Sequence, residues 1–328
     1  KDWRELVARD DVEAVGIFTP DFLHEEMAVT ALEAGKHVFC EKPLAITTEG
    51  CDRILDAWNR AGTKLMVGFN MRYMNVFRVM KDIVDRGDIG EVKAIWVRHF
   101  VGHGGTFYYH DWHATRANTT SLLLQKGSHD IDMIHYLTGQ YSRKVAAFGG
   151  LDWYGGEYPN DKRCRDCEIQ DTCPDRQWPD CPRDDLCAFR KEVDVEDNQT
   201  MIMQLDGGIK ASYLQCHFAP VYERNYVLIG TEGSLENVDS DKEVRVKMRP
   251  IKKDKNLADR VYTIRPSEGT HSGADPVIAK DFLDMVQKDK APVATPIVGR
   301  MAVAAGCAGA ESMRDGGRPV DIAPYEPE

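Results

Sequence analysis

Ala14-Val15-Gly16-Ile17-Phe18-Thr19-Pro20, His37-Val38-Phe39-Cys40-Glu41-Lys42-Pro43 and Lys64-Leu65-Met66-Val67-Gly68 are three short apolar runs at similar intervals. Between the first two, residues 22–35 place Leu23, Met27 and Ala31 at helical spacing and stop at Gly35; residues 48–61 form a second such stretch. A brief apolar run closed by a proline turn reads as a buried strand, and the segments between read as helices. Strand, helix, strand, helix, strand at this pitch predicts parallel βαβ units with right-handed crossovers, half of a doubly wound sheet. Such sheets bind ligands beyond the carboxyl ends of their strands. That places Thr19, Pro20 and His24, and then Glu41, Lys42 and Pro43, at candidate binding positions. His24 falls on a first helical turn, where it serves equally as a cap-region side chain.

Working outward, the pattern changes. A helix over 73–86 leads into a long strand over 92–100, and a helix over 121–137 precedes a strand over 143–149. Residues 200–205 and 209–218 flank Asp206-Gly207-Gly208 and read as a hairpin. Segments 226–229, 233–238 and 244–248 continue a meander, and helices over 275–288 and 298–314 close the chain. The expected fold class is α/β plus α+β: a partial Rossmann-type sheet over 1–70, then an α+β domain over 71–328 with one open antiparallel sheet. A Cys-rich insertion spans 155–190, and the last helix is expected to pack back on the first domain. On the helix over 121–137, Gln125, His129 and Asp132 stand at i, i+4 and i+7 and so share a face.

Of 328 residues, 42 are basic and 53 acidic, a formal charge of −11. An acidic surface does not displace counterions from a phosphate backbone, so nucleic acid is excluded as the expected partner. No uninterrupted apolar stretch approaches the roughly 20 residues of a bilayer span, so no membrane partner is expected. A small molecule fits better.

The Thr19-Pro20 and Glu41-Lys42-Pro43 turns, the Lys126-Gly127-Ser128-His129-Asp130-Ile131-Asp132 run and Gly68-Phe69-Asn70-Met71-Arg72-Tyr73 occur in a specific order. Arg86-Gly87-Asp88-Ile89-Gly90-Glu91-Val92, Gly230-Thr231-Glu232-Gly233 and His271-Ser272-Gly273-Ala274-Asp275 follow in the same order. Together they resemble the Gfo/Idh/MocA family of nicotinamide-dependent oxidoreductases, which act mostly on sugars and inositols. The resemblance implies NAD or NADP as cofactor, a sugar or cyclitol substrate, a cytoplasmic protein, and a homo-oligomer (dimer or tetramer) built through the open sheet. It implies that Lys42 lies beside the nicotinamide ribose and the reacting hydroxyl, and that His129 exchanges the substrate proton. Thr19, Pro20, His24, Glu41, Pro43, Asn70 and Arg72 complete the implied cofactor set. The chemistry needs both kinds of group: a base near neutral pKa takes the hydroxyl proton as hydride leaves, and an ammonium stabilises the alkoxide. Two other readings of the same fold are an NAD-dependent glycoside hydrolase and a non-catalytic sensor of sugar or nucleotide.

The chain departs from the family pattern twice. Many members carry an acid four positions before the histidine, where this chain has Gln125, a third candidate catalytic residue, followed by Lys126. The Gly-rich pyrophosphate loop is also missing; its place is expected before Trp3, so the chain as given is expected to lack an N-terminal portion.

The Phe107-Tyr108-Tyr109-His110-Asp111-Trp112-His113 run suits stacking on a sugar ring or simple packing. Five of the nine cysteines fall in one polar loop: Cys164, Cys167, Cys173, Cys181 and Cys187. That density suits tetrahedral zinc, disulfides, an iron–sulfur cluster or free thiols, and such a loop has no evident core of its own. A related group within the family shares a Cys-x2-Cys-x5-Cys loop with a later cysteine. That implies Cys164, Cys167, Cys173 and Cys187 as a structural zinc set, with Cys181 the spare.

Overall fold

A computed structural model describes residues 2–102, 105–177, 184–238, 242–250, 254, 257–265 and 267–326. The chain begins with α1 (Trp3–Val7), β1 (Ala14–Ile17), α2 (His24–Glu33), β2 (His37–Cys40), α3 (Thr48–Ala61) and β3 (Leu65–Val67). The three strands pair in parallel in the order β1-β2-β3. Helix α3 is bounded by local chemistry: Thr47 Oγ1 accepts from Gly50 N–H at 3.0 Å at its start, and Gly62 at φ 64° ends it.

The second part comprises α4 (Asn75–Asp85), β4 (Val92–Val101), α5 (Arg116–Thr119), α6 (Leu122–Gln125), α7 (Ser128–Thr138), β5 (Ser142–Gly150) and β6 (Asn198–Leu205). It continues with β7 (Lys210–Cys216), β8 (Tyr222–Gly230), β9 (Gly233–Val238), β10 (Glu243–Met248), β11 (Arg260–Thr263), α8 (Thr270–Lys288), α9 (Pro296–Arg314) and β12 (Val320–Asp321). The nine strands order as β11-β10-β9-β8-β4-β7-β6-β5-β12. The sheet is mixed rather than purely antiparallel, because β4 pairs in parallel with β7 while pairing antiparallel with β8. The long crossover through α5–α7, β5 and β6 permits that parallel pair, which no hairpin could make.

One face of the large sheet carries the alternate residues Ile95, Val97, Met201, Met203, Tyr213 and Leu228, buried against the helices. The other face leaves Trp96, Phe148, Ile202 and Ile229 exposed. Helix α9 ties the two parts together. Val298, Met301, Ala302, Val303 and Ala305 are buried in a core shared with Val38, Leu44 and Val67 of the small sheet and Met201 and Met203 of the large one. Its Gly306 allows close approach, since a Cβ there would sit 2.9 Å from Leu124 Cα. Among the described residues no helix is long and apolar enough to cross a membrane.

The helix expected over 121–137 is two helices. Gly127 N–H reaches back to Leu122 O at 2.9 Å, a wider loop than the helical one, and the ladder breaks at Lys126-Gly127. Glycine is required here, for a Cβ on Gly127 would lie 2.2 Å from Leu123 O.

The Cys-rich insertion does contribute to a core, contrary to its polar composition. Tyr109 stacks on Tyr154 at 4.0 Å, and both pack with Ala114, Leu122, Ala188, Val193 and Val195. The apolar partners come from before and after the insertion, so the loop's own composition conceals them.

Candidate active site

Three loops leave the carboxyl ends of β1, β2 and β3 side by side, and the start of α7 stands opposite them. A cavity of about 580 Å³ lies there, lined by Phe18, Phe39, Glu41, Lys42, Asn70 and His129, and by His271, Asp275 and Phe282 from α8. Phe39 lies 5.6 Å from both Phe18 and Phe282, so one wall is aromatic and the other polar.

Lys42 is held rather than free. Its Nζ donates to Gln125 O at 3.1 Å, a carbonyl at the point where the α6–α7 ladder is broken. Burial pushes the ammonium's pKa down, and nearby Asp21 opposes that shift. His129 packs edge-on to Phe69 at 6.2 Å, and its Nδ1 is buried without a hydrogen bond among the described residues. Burial, with Lys42, Arg224 and Lys126 close by, holds its pKa well below the ordinary 6.5, so the imidazole is neutral. Gln125 places its backbone on Lys42 and its side chain against Asp21.

Asp21 is the residue that the sequence reading passed over. It is 3% exposed, directly after Thr19-Pro20, and its carboxyl faces Lys42, Glu41 and the Gln125 side chain. Burial raises it to about 7, against the opposing pull of Lys42. The acid absent from position 125 thus has a counterpart contributed by the other domain, touching that same glutamine. The signal was available: an acid inside the Thr-Pro turn of a chain whose helix lacks one.

The remaining expected residues divide. Glu41 and Asn70 line the cavity; burial raises the Glu41 carboxyl, and Asn70 Nδ2 donates to Asp275 Oδ1 at 3.3 Å. His24 is fully buried, with Nδ1 2.8 Å from Pro43 O and Nε2 2.9 Å from Thr19 O. It therefore fastens the first loop to the second and is not among the cavity residues. Thr19 Oγ1 turns to Met27 Sδ at 3.5 Å, leaving Thr19, Pro20 and Pro43 as the frame of the loops. Arg72 points away from the cavity: it grips Asp132 through two bonds of 2.9 and 2.7 Å and gives Nη1 to Val293 O at 2.7 Å. Asp132 is consumed in that buried pair, so the face proposed for Gln125, His129 and Asp132 carries one cavity residue, His129.

Of the aromatic run, Tyr109 is core and His110 is tied to Thr106 and Asp175 O, whereas Tyr108 turns toward Lys126 with 5.6 Å from ring centre to Nζ.

In the insertion, Cys164, Cys167, Cys173 and Cys187 are free thiols lining one cavity of about 280 Å³; Cys181 lies outside the described residues. Burial raises the Cys164 thiol, with Cys187 and Cys173 adding to the shift, and Cys187 is raised likewise with Cys167 and Cys173. The four are therefore electrostatic neighbours, yet no three His, Cys, Asp or Glu side chains among the described residues are gathered closely enough to hold a metal.

Comparison with known proteins matches residues 81–322 to the "Oxidoreductase family, C-terminal alpha/beta domain" and residues 1–69 to the "Oxidoreductase family, NAD-binding Rossmann fold". YteT of Bacillus subtilis is 25% identical over 302 residues, 80% of this chain and 70% of that protein. Levoglucosan dehydrogenase of Pseudarthrobacter phenanthrenivorans is 36% identical over 152 residues, but the match spans only 43% of this chain and 37% of that enzyme. Inositol 2-dehydrogenase of Salmonella typhimurium is 32% identical over 148 residues, 45% of this chain and 41% of that enzyme. Among solved structures, levoglucosan dehydrogenase in complex with NADH and levoglucosan superposes with a TM-score of 0.80 at 22% identity, over 99% of this chain and 83% of that one. The partial doubly wound sheet, the open mixed sheet and both family matches agree: the chain belongs to the Gfo/Idh/MocA family of oxidoreductases.

Proposed function

We propose that this chain moves a hydride between a nicotinamide cofactor and a secondary hydroxyl or ketone of a sugar or cyclitol. The observation that carries the reading is the placement of Lys42 and His129 on one cavity at the carboxyl ends of parallel strands. The names of the dehydrogenase relatives support it. A flat ring bearing an amide fits the cavity, with Phe18 and Phe39 as apolar wall and Asn70, Glu41 and Lys42 as polar edge. When bound, NAD or NADP supplies or accepts the hydride.

The chain's own residues handle the proton and the charge. Neutral His129 takes the hydroxyl proton in oxidation and returns it in reduction. Lys42 uses one N–H on Gln125 O and has two left for the substrate oxygen, so its charge is aimed before the alkoxide forms. Asp21 balances Lys42 from behind and, with Gln125, sets its position. The test is nicotinamide absorbance change across a panel of sugars, inositols and their keto forms. Lys42→Met and His129→Asn should each lower kcat about 10²- to 10⁴-fold in folded protein. Unchanged turnover in either would remove that residue from the reaction.

Two further assignments belong to the same reading. A tetrahedral zinc on Cys164, Cys167, Cys173 and Cys187 would have to draw the four thiols closer than they stand around their shared cavity; with all four positions protein ligands it would order the insertion and be closed to chemistry. The exposed Trp96, Ile202 and Ile229 face, with a shallow cavity of about 510 Å³ between them, suits burial by a second copy of the chain.

A further inference from the structure

The break between α6 and α7 also sets Lys126, the residue after the Gln125 carbonyl that holds Lys42, within electrostatic reach of both Lys42 and His129 and beside the cavity that those two line. The Lys126 side chain is half-buried and lies over the Tyr108 ring. Among the described residues no hydrogen bond or ion pair is made by its ammonium. The carboxylate that acts on it, Asp130, is already committed. Asp130 accepts from His99 Nδ1 at 2.9 Å, Tyr213 OH at 2.8 Å, Arg224 Nε and Nη2 at 2.8 and 2.9 Å, and Tyr226 OH. Five donors exceed the roughly four lone-pair sites of a carboxylate, and Arg224 already balances its charge. Arg224 is paired with Asp130 and Lys42 faces Asp21, which leaves Lys126 as the cation near His129 with no paired carboxylate among the described residues.

Other atoms around Lys126 also lack partners. His99 Nε2 and His129 Nδ1 are buried without a hydrogen bond among the described residues. His217 is fully buried and meets the Tyr108 ring edge-on at 5.2 Å, in the field of Lys126. A desolvated ammonium without a counter-charge is costly, as are imidazole nitrogens without partners. A ligand that brings one negative charge and hydroxyl groups would satisfy both deficits together.

We propose that Lys126 is a subsite for a carboxylate on the substrate, so that the sugar or cyclitol handled here is a sugar acid. This rests on the oxidoreductase reading for the identity of the site, and it adds the substrate class. A carboxylate is favoured over a phosphate because one ammonium matches one charge. Arg224, the residue that would complete a dianion site, is spent on Asp130. A bound carboxylate would also offset the positive field that depresses His129 and so make it a stronger base.

The test is calorimetric binding of matched pairs, glucuronate against glucose and galacturonate against galactose, with glucose 6-phosphate as a third arm. Wild type, Lys126→Gln and Lys126→Arg are compared, and NADH fluorescence is read on the same samples. At least one sugar acid should bind about tenfold or more tightly than its neutral partner. Lys126→Gln should erase that ratio and Lys126→Arg should keep most of it. Neutral sugars binding as well as both acids would overturn the assignment. So would a preference that survives Lys126→Gln, or tighter binding of the 6-phosphate. If the acid preference appears but the full-length protein does not bind NADH, the anion subsite stands and the hydride-transfer reading fails.

Discussion

Replacing Asp21 by Asn should stabilise the fold at neutral pH while slowing the reaction. The Asp21 carboxyl is 3% exposed and raised from an ordinary 3.8 to about 7. An acid whose folded pKa lies above its unfolded value keeps its proton in the folded protein over a range where the unfolded chain has lost it. Folding stability therefore falls as pH rises through that range, and the loss is complete above the folded pKa. The gap from 3.8 to about 7, at about 1.36 kcal/mol per pH unit, amounts to about 4 kcal/mol. Asn carries no charge to desolvate, keeps nearly the same shape, and retains an oxygen and an amide for Gln125.

The assay is denaturant unfolding of wild type and Asp21→Asn from pH 4 to pH 9. Near pH 4 the two should be nearly equal in stability. The variant's advantage should then grow by about one proton's slope to about pH 7 and level off at about 4 kcal/mol. Turnover should move the other way, because Lys42 loses the carboxylate that balances it; kcat should fall about tenfold or more and its pH profile should lose an ionisation near 7. An advantage of Asn that is constant with pH would refute the reasoning, since it would mean that the Asp21 proton is not linked to folding.

Three more outcomes are expected. Arg72→Met should cost about 3–5 kcal/mol by leaving Asp132 buried and unpaired, and a further Asp132→Leu should recover most of it; a double variant as unstable as the single would refute the isolated-charge argument. Zinc measured by mass spectrometry on protein purified with added metal should approach one per chain and be lost in Cys164→Ser or Cys187→Ser, whereas wild type free of metal would end the zinc assignment. Trp96→Glu with Ile202→Glu should convert a dimer or tetramer to monomer in light scattering, and a wild type that is already monomeric would refute burial of that face.

The elements were legible where pattern and position coincide. The three parallel strands announced themselves as short apolar runs, two of them closed by prolines, and the β6–β7 hairpin by alternation around Asp206-Gly207-Gly208. That Lys42 and His129 meet at one cavity was legible because each sits in a local motif. The parallel pairing of β4 with β7 was not, since strand direction is settled by the path of the crossover and not by either strand's own residues. The helix break was hidden for a related reason: Gly127 is tolerable inside a helix, and only its contact with Leu123 O shows that the backbone needs it there.

The charges of the site show why residue type alone misleads. The resemblance put Arg72 in the cofactor set, and spacing put Asp132 on a face with Gln125 and His129; the fold spends each on the other. Asp130 looked like part of a motif and is instead the acceptor for five donor atoms of four residues on three strands: His99 on β4, Tyr213 on β7, and Arg224 and Tyr226 on β8. What survives that pairing near the cavity is a short set of groups without full partners among the described residues: Lys42 with two N–H donors to spare, neutral His129, and the Lys126 ammonium. Each side chain is written at one position, but its counter-charge is written somewhere else, and only folding decides which pairs close. Orphaned atoms occur elsewhere too, at His135 and Arg143 for example, so it is the convergence of these groups beside one cavity that points to a substrate as the missing partner.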